Sequence, residues 1–239
     1  MREFFNRIED ATSISIEADV EIESQKELYP WLFSVFIKFG NIDKGFDSFE
    51  VFLETKESLI VALEYENRAI YAGSRVKDDW NEFYFYAKDA KKLEIIISKM
   101  LKESGYQYES SVVKDAKWDF YQHNLFPSEL EFCHIESEKI IFLLEEEGDK
   151  LSLKRDVEHY ASFDTATQKE RFVSNALLLG FEFKDDVSSE EFDHGVALVK
   201  EHSIESDEVK KVVEELYGLI KQELGYYEGW STTLQEQDS

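Results

Sequence analysis

Residues that could carry out chemistry are few in this chain, and they do not form a recognisable catalytic set. The only cysteine is residue 133, and the histidines are residues 123, 134, 159, 194 and 202. Cys133 and His134 are adjacent on a predicted helix, where neighbouring side chains diverge by about 100 degrees and cannot easily act as nucleophile and base. Cys133 falls on an apolar stripe, which is typical of a small core residue. We expect His159, which lies on a predicted strand, to be a structural, hydrogen-bonded histidine.

Motifs for binding phosphate or metal are also missing from the sequence. Gly40 and Gly45 have the separation of a P-loop, but Phe46 stands where the lysine of that motif would reach the phosphates. Asp185 and Asp186, with three further acidic residues downstream, offer the oxygen ligands that divalent cations prefer. Their spacing does not fit an EF-hand loop, so we interpret residues 184–194 as a solvated loop. The sequence therefore predicts no metal, no cofactor and no enzymatic activity.

Acidic charge is the strongest property of the composition. The chain has 27 basic and 52 acidic residues, for a formal net charge of −25. Residues 1–126 hold 16 basic and 24 acidic side chains (net −8), and residues 127–239 hold 11 and 28 (net −17). Nucleic-acid binding depends on cationic side chains that release counterions, so this charge disfavours direct contact with nucleic acid. It favours a basic protein partner; the alternative is that the acid serves only solubility.

The elements of the last third follow the order strand, helix, strand, strand, helix, strand, which is the plan of a split βαβ sandwich. The predicted strands are 157–163, 181–183, 195–199 and 226–233. Thr165 and Gln168 have the spacing of a capping box at the start of the first helix, and Gly180 ends it. The second helix begins near Ser206, and its apolar residues repeat at intervals of three and four.

Several of these segments resemble the regulators of ribonuclease E activity of type B, the RraB-like family. The resemblance lies in Val157-Glu158-His159-Tyr160, in Leu179-Gly180-Phe181-Glu182-Phe183, in the acidic helix from Val209 to Leu224, in Tyr227-Glu228-Gly229-Trp230, and in an acidic helix at 128–147. It implies a small α+β, ferredoxin-like domain that acts by binding. For the family this means inhibition of the endoribonuclease that nucleates the bacterial RNA-degrading machinery. The expected partner is therefore ribonuclease E or its degradosome scaffold.

Proline 127 marks the expected domain boundary. Ser128 and Glu131, directly after it, have the spacing of a capping box that opens a helix. We therefore predict an α+β protein with two domains, 1–126 and 127–239. Each would be a ferredoxin-like (split βαβ) sandwich with an antiparallel sheet and helices on one face.

The first half also has a strand-and-helix pattern of its own. Its predicted strands are 13–20, 31–39, 67–72, 80–86 and 106–108, and its predicted helices are 46–63 and a segment between Leu93 and Gly105. It resembles, more loosely, an uncharacterised bacterial domain that precedes RraB-like domains. That match lies in Phe83-Tyr84-Phe85-Tyr86 and in the segment from Trp118 to Pro127.

An internal echo also links the halves. Phe83 to Ala87, a helix and Gly105 to Tyr108 follow the same plan as His159 to Phe163, a helix and Gly180 to Phe183. Either the halves are related sandwiches, or the echo reflects only what any βαβ unit looks like.

Our hypothesis is an acidic, non-catalytic regulator that binds a basic segment of its partner. The candidate partner-binding residues are the acidic Glu145, Glu146, Glu147, Asp185 and Asp186 and the aromatic Tyr227 and Trp230. Aromatic side chains carry much of the energy of protein interfaces. We expect Tyr227 to be exposed and Trp230 to pack against the sheet. The alternative is an enzyme or small-molecule site in the first domain, in a cleft lined by Trp31, Trp80, Tyr84 and Tyr86.

The expected location is the cytoplasm, without a membrane anchor. No apolar run is long enough to span a bilayer, and the first residues contain no signal-peptide core. A single cysteine also agrees with a reducing compartment.

Overall fold

The computed structural model describes residues 1–38, 46–102, 104–187 and 194–235. The chain divides into two compact units, Met1–Pro127 and Ser128–Ser239. Each unit combines one antiparallel sheet with helices, so the predicted α+β class is confirmed. Among the described residues, no helix combines the length and the apolar character needed to cross a membrane.

Within residues 1–38, 46–102 and 104–127, the first unit is built on a six-stranded antiparallel sheet. Its strands are β1 (Arg2–Glu9), β2 (Thr12–Asp19), β3 (Trp31–Lys38), β4 (Ala69–Lys77), β5 (Trp80–Ala87) and β6 (Gln107–Lys114), and its helices are α1 (Phe46–Glu64) and α2 (Leu93–Leu101). The strand order is β1-β2-β4-β5-β3-β6. Short 3-10 turns at Ile22–Leu28 and Tyr65–Asn67 and a π-helical turn at Tyr121–Leu125 complete the unit.

Both faces of this sheet are buried, because alternate residues of a strand point to opposite sides. Trp31 packs against the cluster beneath α1 and α2, whereas Tyr84 and Tyr86 lie in the cluster on the other face. The predicted cleft between Trp31, Trp80, Tyr84 and Tyr86 is therefore wrong. The two tyrosines are 3% and 0% exposed, so they fill a core and do not line an opening with Trp31.

In its described part, residues 128–187 and 194–235, the second unit has a four-stranded antiparallel sheet with three helices. Its strands are β7 (Arg155–Phe163), β8 (Glu182–Val187), β9 (His194–His202) and β10 (Tyr226–Thr232), and its helices are α3 (Glu129–Glu146), α4 (Ala166–Leu178) and α5 (Ser206–Gln222). The order is β10-β7-β9-β8. The units β7-α4-β8 and β9-α5-β10 interleave, so each strand is antiparallel to its neighbours.

The acidic stretch at 184–194 is only partly the loop that the sequence suggested. Strand β8 continues through Asp185 and Asp186 to Val187, which pairs with Gly195 of β9. The prediction of a loop is therefore wrong for residues 184–187. It is also wrong for His194, the first residue of β9, whereas residues 188–193, with Glu190, Glu191 and Asp193, lie outside the described residues.

The two units interleave their strands in the same way. In the first unit, β3-α1-β4 and β5-α2-β6 give the order β4-β5-β3-β6, and the β1–β2 hairpin extends the sheet beside β4. The internal echo of the sequence therefore compared non-equivalent halves, β5-α2-β6 and β7-α4-β8. By strand order, the segment equivalent to β7-α4-β8 is β3-α1-β4.

Helix boundaries in the second unit follow the predicted capping residues. Ser128 caps α3, and Glu131 completes the predicted capping box. The Thr165 hydroxyl accepts a hydrogen bond from the Gln168 backbone at the start of α4, but it donates to the Gln168 side chain, so the reciprocal half of the box is not formed. Helix α5 buries the predicted apolar stripe against the sheet.

Candidate partner-binding groove

A β-bulge in β10 decides which way the aromatic side chains of this strand point. Tyr227 pairs with Ala161, Gly229 with Tyr160 and Trp230 with His159, so Glu228 is an extra residue without a partner in the register. Side chains three positions apart on a regular strand point to opposite faces. The extra residue places Tyr227 and Trp230 on the same face. Gly229 allows this because its φ is +110°, a conformation that other residues rarely adopt.

Trp230 connects the sheet to helix α3. Its indole Nε1–H donates to the Ser137 hydroxyl at 3.0 Å, and that hydroxyl donates to the Cys133 carbonyl at 2.7 Å. Trp230 is 5% exposed and Ser137 is 2% exposed. The expected packing of Trp230 against the sheet thus agrees with its position. Ser137, a polar residue in the apolar stripe of α3, thus provides the acceptor for the buried indole N–H.

Tyr227 connects the same surface to a buried pair of histidines. The side chain of Tyr227 is half-buried, and its hydroxyl lies 2.9 Å from His159 Nδ1. His159 Nε2 lies 3.1 Å from His202 Nε2, and His202 Nδ1 lies 2.7 Å from the Ser203 carbonyl oxygen. Tyr227 is therefore less exposed than expected, because its polar end is bonded inside the unit. His159 is the structural, hydrogen-bonded histidine that the sequence suggested.

The Ser203 carbonyl sets the direction of the hydrogen bonds that link His202, His159 and Tyr227. A carbonyl oxygen only accepts, so His202 Nδ1 carries the proton and, in a neutral ring, Nε2 must accept. His159 then donates from Nε2 and accepts at Nδ1 from the Tyr227 hydroxyl. With both histidines neutral and the tyrosine protonated, every hydrogen bond between these groups has one donor and one acceptor.

The pKa values agree with this neutral state. Burial lowers the pKa of His159 to about 3, and the nearby His202 and Lys200 act in the same direction. Burial also lowers the pKa of His202 and raises the pKa of Tyr227. Charged forms are disfavoured in each case because the groups are removed from water.

A groove of about 320 Å³ opens between α3, α5 and β10. We call it the α3–β10 groove. Helix α3 contributes Glu129, Phe132, Cys133, Glu136, Ser137 and Ile140; α5 contributes Tyr217 and Lys221; β10 contributes Tyr226, Tyr227, Glu228, Gly229 and Trp230. Its floor is mostly apolar and its rim carries three carboxylates, so it fits a segment with apolar and cationic side chains.

The structure does not bring all the predicted site residues together. Tyr227 and Trp230 lie in the α3–β10 groove. The exposed residues Glu145, Glu146 and Glu147 lie at the C-terminal end of α3. Asp185 and Asp186 lie on β8, at the edge of the sheet opposite β10, and Asp186 pairs with Lys169 at 2.7 Å.

The acidic residues of the groove itself are Glu129, Glu136 and Glu228, which the sequence analysis did not single out. Glu129 and Glu136 are seven residues apart, so they lie on one face of α3 beside the stripe that contains Cys133. The helical spacing of Glu129 and Glu136 could therefore have identified them from the sequence. Glu228 could not be found this way, because its position depends on the bulge.

Chemistry in the groove is limited by the state of its one thiol. Burial raises the pKa of Cys133 to about 11, so the thiol stays protonated near neutral pH and is a poor nucleophile. Within the described ranges, no group of three or more histidine, cysteine or acidic side chains converges as metal ligands would.

A second groove, of about 400 Å³, lies in the first unit between α1 and the sheet. Glu17 lines it and is buried, and Lys56, Tyr71 and Ser74 donate to its carboxylate. Arg2 Nη1 lies 3.5 Å from the same carboxylate. Burial raises the pKa of Tyr71, and the charge of Glu17 adds to this shift. This groove therefore combines apolar walls with a paired, buried charge.

Fold and groove together define a two-domain α+β protein whose second domain presents an acidic, aromatic groove. Residues 3–126 match the model of a family of unknown function, DUF695, and residues 134–232 match the model described as regulator of ribonuclease activity B, RraB. The chain belongs to the DUF695 family and carries an RraB domain after the DUF695 domain, as the sequence resemblance predicted. The RraB family is a family of regulators of ribonuclease activity.

Other comparisons add little. A search of curated proteins found no match. One solved structure, of an unknown protein from Galdieria sulphuraria, is 11% identical over 87% of this chain and 97% of that chain, with a TM-score of 0.20. A similarity at that level supports no argument about fold or function.

Proposed function

We propose that this protein is a non-catalytic regulator that inhibits ribonuclease E by binding the enzyme or its scaffold through residues 127–239. The family match supports regulation of a ribonuclease. The identity of the enzyme, the inhibition and the cytoplasmic location are parts of our proposal.

The observation that carries the proposal is the position of the Tyr-x-Gly-Trp segment. These residues carry much of the resemblance to the family, and the bulge turns Tyr227 and Trp230 toward a groove with Glu129, Glu136 and Glu228 at its rim. Trp230 is held from below by Ser137. Tyr226, which directly precedes this segment and is 54% exposed, is more accessible to a partner than Tyr227 or Trp230.

Two properties of the second unit would act at different stages of binding. Its net charge of −17 would attract a basic partner at a distance and raise the association rate. The groove would supply short-range contacts and slow dissociation. Direct competition for RNA is not part of this mechanism, because an acidic surface repels phosphates.

The test is an RNA cleavage assay with purified ribonuclease E and increasing amounts of the full chain. We expect the cleavage rate to fall with saturation, and we expect a direct binding assay to give the same midpoint. A separate titration with the RNA substrate alone should show no binding. Unchanged cleavage at tens of micromolar chain, or inhibition that tracks RNA binding, would reject the proposal.

A second candidate function is small-molecule binding in the first unit. The observation that favours it is the buried Glu17 carboxylate on the wall of an apolar groove, where Lys56, Tyr71 and Ser74 converge. A screen for thermal stabilisation of the first unit by small molecules would test it. Stabilisation that is lost in Phe4→Ala, an exposed residue of that groove, would support it.

A further inference from the structure

We propose that one end of the α3–β10 groove is a site for a lysine or arginine side chain of a basic protein segment, and that Lys221 of this chain fills that site when no partner is bound. This inference rests on the proposed function, because it names the chemistry that the same groove would recognise. It makes Lys221 an internal competitor of the partner.

The contacts of Lys221 define the site. Its Nζ lies 2.5 Å from Glu129 Oε2 and donates to the Gly225 carbonyl at 3.1 Å. The ring centroids of Tyr217 and Tyr226 lie 5.4 Å and 5.1 Å from the same nitrogen. A carboxylate, a carbonyl and two aromatic rings are a combination that stabilises an organic cation.

The acceptors of this site are held ready for a cation. The Tyr217 hydroxyl donates to Glu129 Oε2 at 3.1 Å and orients the carboxylate. Hydrogen bonds from Lys221 and Tyr217 lower the pKa of Glu129, so this group remains ionised near neutral pH. With Glu136 and Glu228 also on the rim, the charged groove residues sum to −2 even with Lys221 in place.

Lys221 is exposed enough to be displaced. Its side chain is 32% exposed and that of Glu129 is 62% exposed. Ion pairs at such exposure contribute little to stability, because water screens them and both side chains lose freedom when they pair. A cation on a partner segment brings additional contacts to the groove floor, so it can outcompete Lys221 without unfolding α5.

A purely structural role for Lys221 makes a different prediction. Lys221 lies in the last turn of α5, where a cation interacts favourably with the helix dipole. If this were its only role, removing it would lower the stability slightly and leave cation binding changed only by the loss of one positive charge.

Titration of the full chain with a capped tetralysine peptide distinguishes these roles. Binding is followed by NMR through the ring resonances of Tyr217 and Tyr226, at about 0.15 M salt. Lys221→Met is compared with Lys210→Met, which removes the same charge from α5 but pairs with Glu138 and does not line the groove. Thermal unfolding confirms that each variant is folded, and Lys221→Gln serves as a second replacement.

We expect Lys221→Met and Lys221→Gln to bind the peptide about fivefold more tightly than the wild type, and Lys210→Met less than twofold. Adding Glu129→Gln to Lys221→Met should cancel the gain. Equal affinities for the two methionine variants, or tyrosine resonances that do not shift, would overturn the inference.

Failure of this inference can be told apart from failure of the proposed function. The titration contains no ribonuclease, so a functional cation site without inhibition of ribonuclease E would reject only the proposed enzyme. Inhibition of ribonuclease E that is unaffected by Lys221→Met would reject only the role of Lys221 as a competitor.

Discussion

The two units contain the same backbone device, a Tyr-x-Gly bulge, and use it to bury different polar groups. In β4, the bulge between Tyr71 and Gly73 places Tyr71 and Ser74 on one face, where both hydroxyls donate to Glu17. In β10, the bulge between Tyr227 and Gly229 places Tyr227 and Trp230 on one face. The first bulge turns hydroxyl groups toward the buried charge of Glu17, and the second turns Tyr227 toward the buried, neutral pair His159 and His202.

This difference has consequences for stability and for function. The Glu17 carboxylate needs Lys56 and the hydroxyl groups around it, because an unpaired buried charge is very costly. Burial lowers the pKa values of His159 and His202 and so keeps the hydrogen-bonded series of His159, His202 and Tyr227 neutral, which makes its stability depend on pH. Only the second cluster includes a residue of the Tyr-x-Gly-Trp segment, Tyr227, which also lines the α3–β10 groove.

The largest expected effect comes from breaking the charged cluster. Lys56→Met should lower the free energy of unfolding of the first unit by about 3–5 kcal/mol, because the Glu17 carboxylate stays buried without its closest cation. Glu17→Gln combined with Lys56→Met should recover most of this loss. Chemical denaturation measures it, with the exposed Lys91→Met as control. A loss below 1 kcal/mol for Lys56→Met would mean that Arg2 and the hydroxyls suffice.

The neutral cluster should make the second unit sensitive to mild acid. His159 has a pKa of about 3 when folded and about 6.5 when unfolded, so between these values the unfolded state binds more protons. The free energy of unfolding should therefore fall by about 1.4 kcal/mol per pH unit below pH 6.5 for this histidine alone. The lowered pKa values of His202 and His134 act in the same direction.

Measurement between pH 6.5 and 5 isolates the histidines, because carboxylates with lowered pKa lose their contribution only at lower pH. The indole resonance of Trp230, the only tryptophan after residue 127, reports on the second unit. His159→Gln should reduce the slope, whereas His123→Gln, an exposed histidine of the first unit, should leave it unchanged. If the free energy of unfolding falls equally steeply with pH in His159→Gln and in the wild type, His159 is not a buried neutral histidine.

The link between Trp230 and α3 should have a smaller effect. Ser137→Ala leaves the buried indole N–H without its acceptor, which costs about 1–3 kcal/mol. Ser174→Ala is a matched control, because Ser174 makes the same bond to a carbonyl four residues earlier but is exposed. We expect a change below about 0.5 kcal/mol for the control. If both variants lose a similar free energy of unfolding, the hydrogen bond between Trp230 and Ser137 adds no measurable stability.

The smallest expected energies concern charge at a distance from the groove. Reversing Glu145, Glu146 and Glu147, or Asp185 and Asp186, should lower the association rate with ribonuclease E and leave dissociation nearly unchanged. By contrast, Tyr226→Ala removes an aromatic ring from the groove itself and should mainly raise the dissociation rate of the complex. Kinetics at several salt concentrations check this, because screening acts over a Debye length of about 8 Å at physiological salt. An association rate independent of salt would remove the electrostatic part of the mechanism.

Much of the fold could be predicted from local patterns, because caps, glycine stops and apolar periodicity are encoded in neighbouring residues. Ser128 with Glu131 and the stripe of α5 are examples. Strand β1 was missed: its turn to β2 uses Asp10 and Ala11 at positive φ, and this pair lacks the usual glycine signal.

The candidate site was harder to predict, because it depends on register. The contact between His159 and His202 joins residues of two strands, and no spacing in the sequence announces it. The exposure of Tyr227 was misjudged for the same reason: without knowledge of the bulge, Tyr227 and Trp230 appear to point to opposite faces. The consecutive acidic residues on β8 could be recognised directly in the sequence. Glu129 and Glu136 could be recognised only from their spacing along a predicted helix.

We propose that the α3–β10 groove, and not the acidic edge at β8, binds the ribonuclease partner. The direct test compares two full-chain variants in binding to ribonuclease E: Glu136→Lys with Tyr226→Ala in the groove, and Asp186→Lys with Phe183→Ala on β8. Each pair reverses one charge and removes one exposed aromatic ring. We expect the groove variant to bind at least tenfold more weakly and the β8 variant less than threefold more weakly. Equal losses, or a larger loss at β8, would contradict the claim.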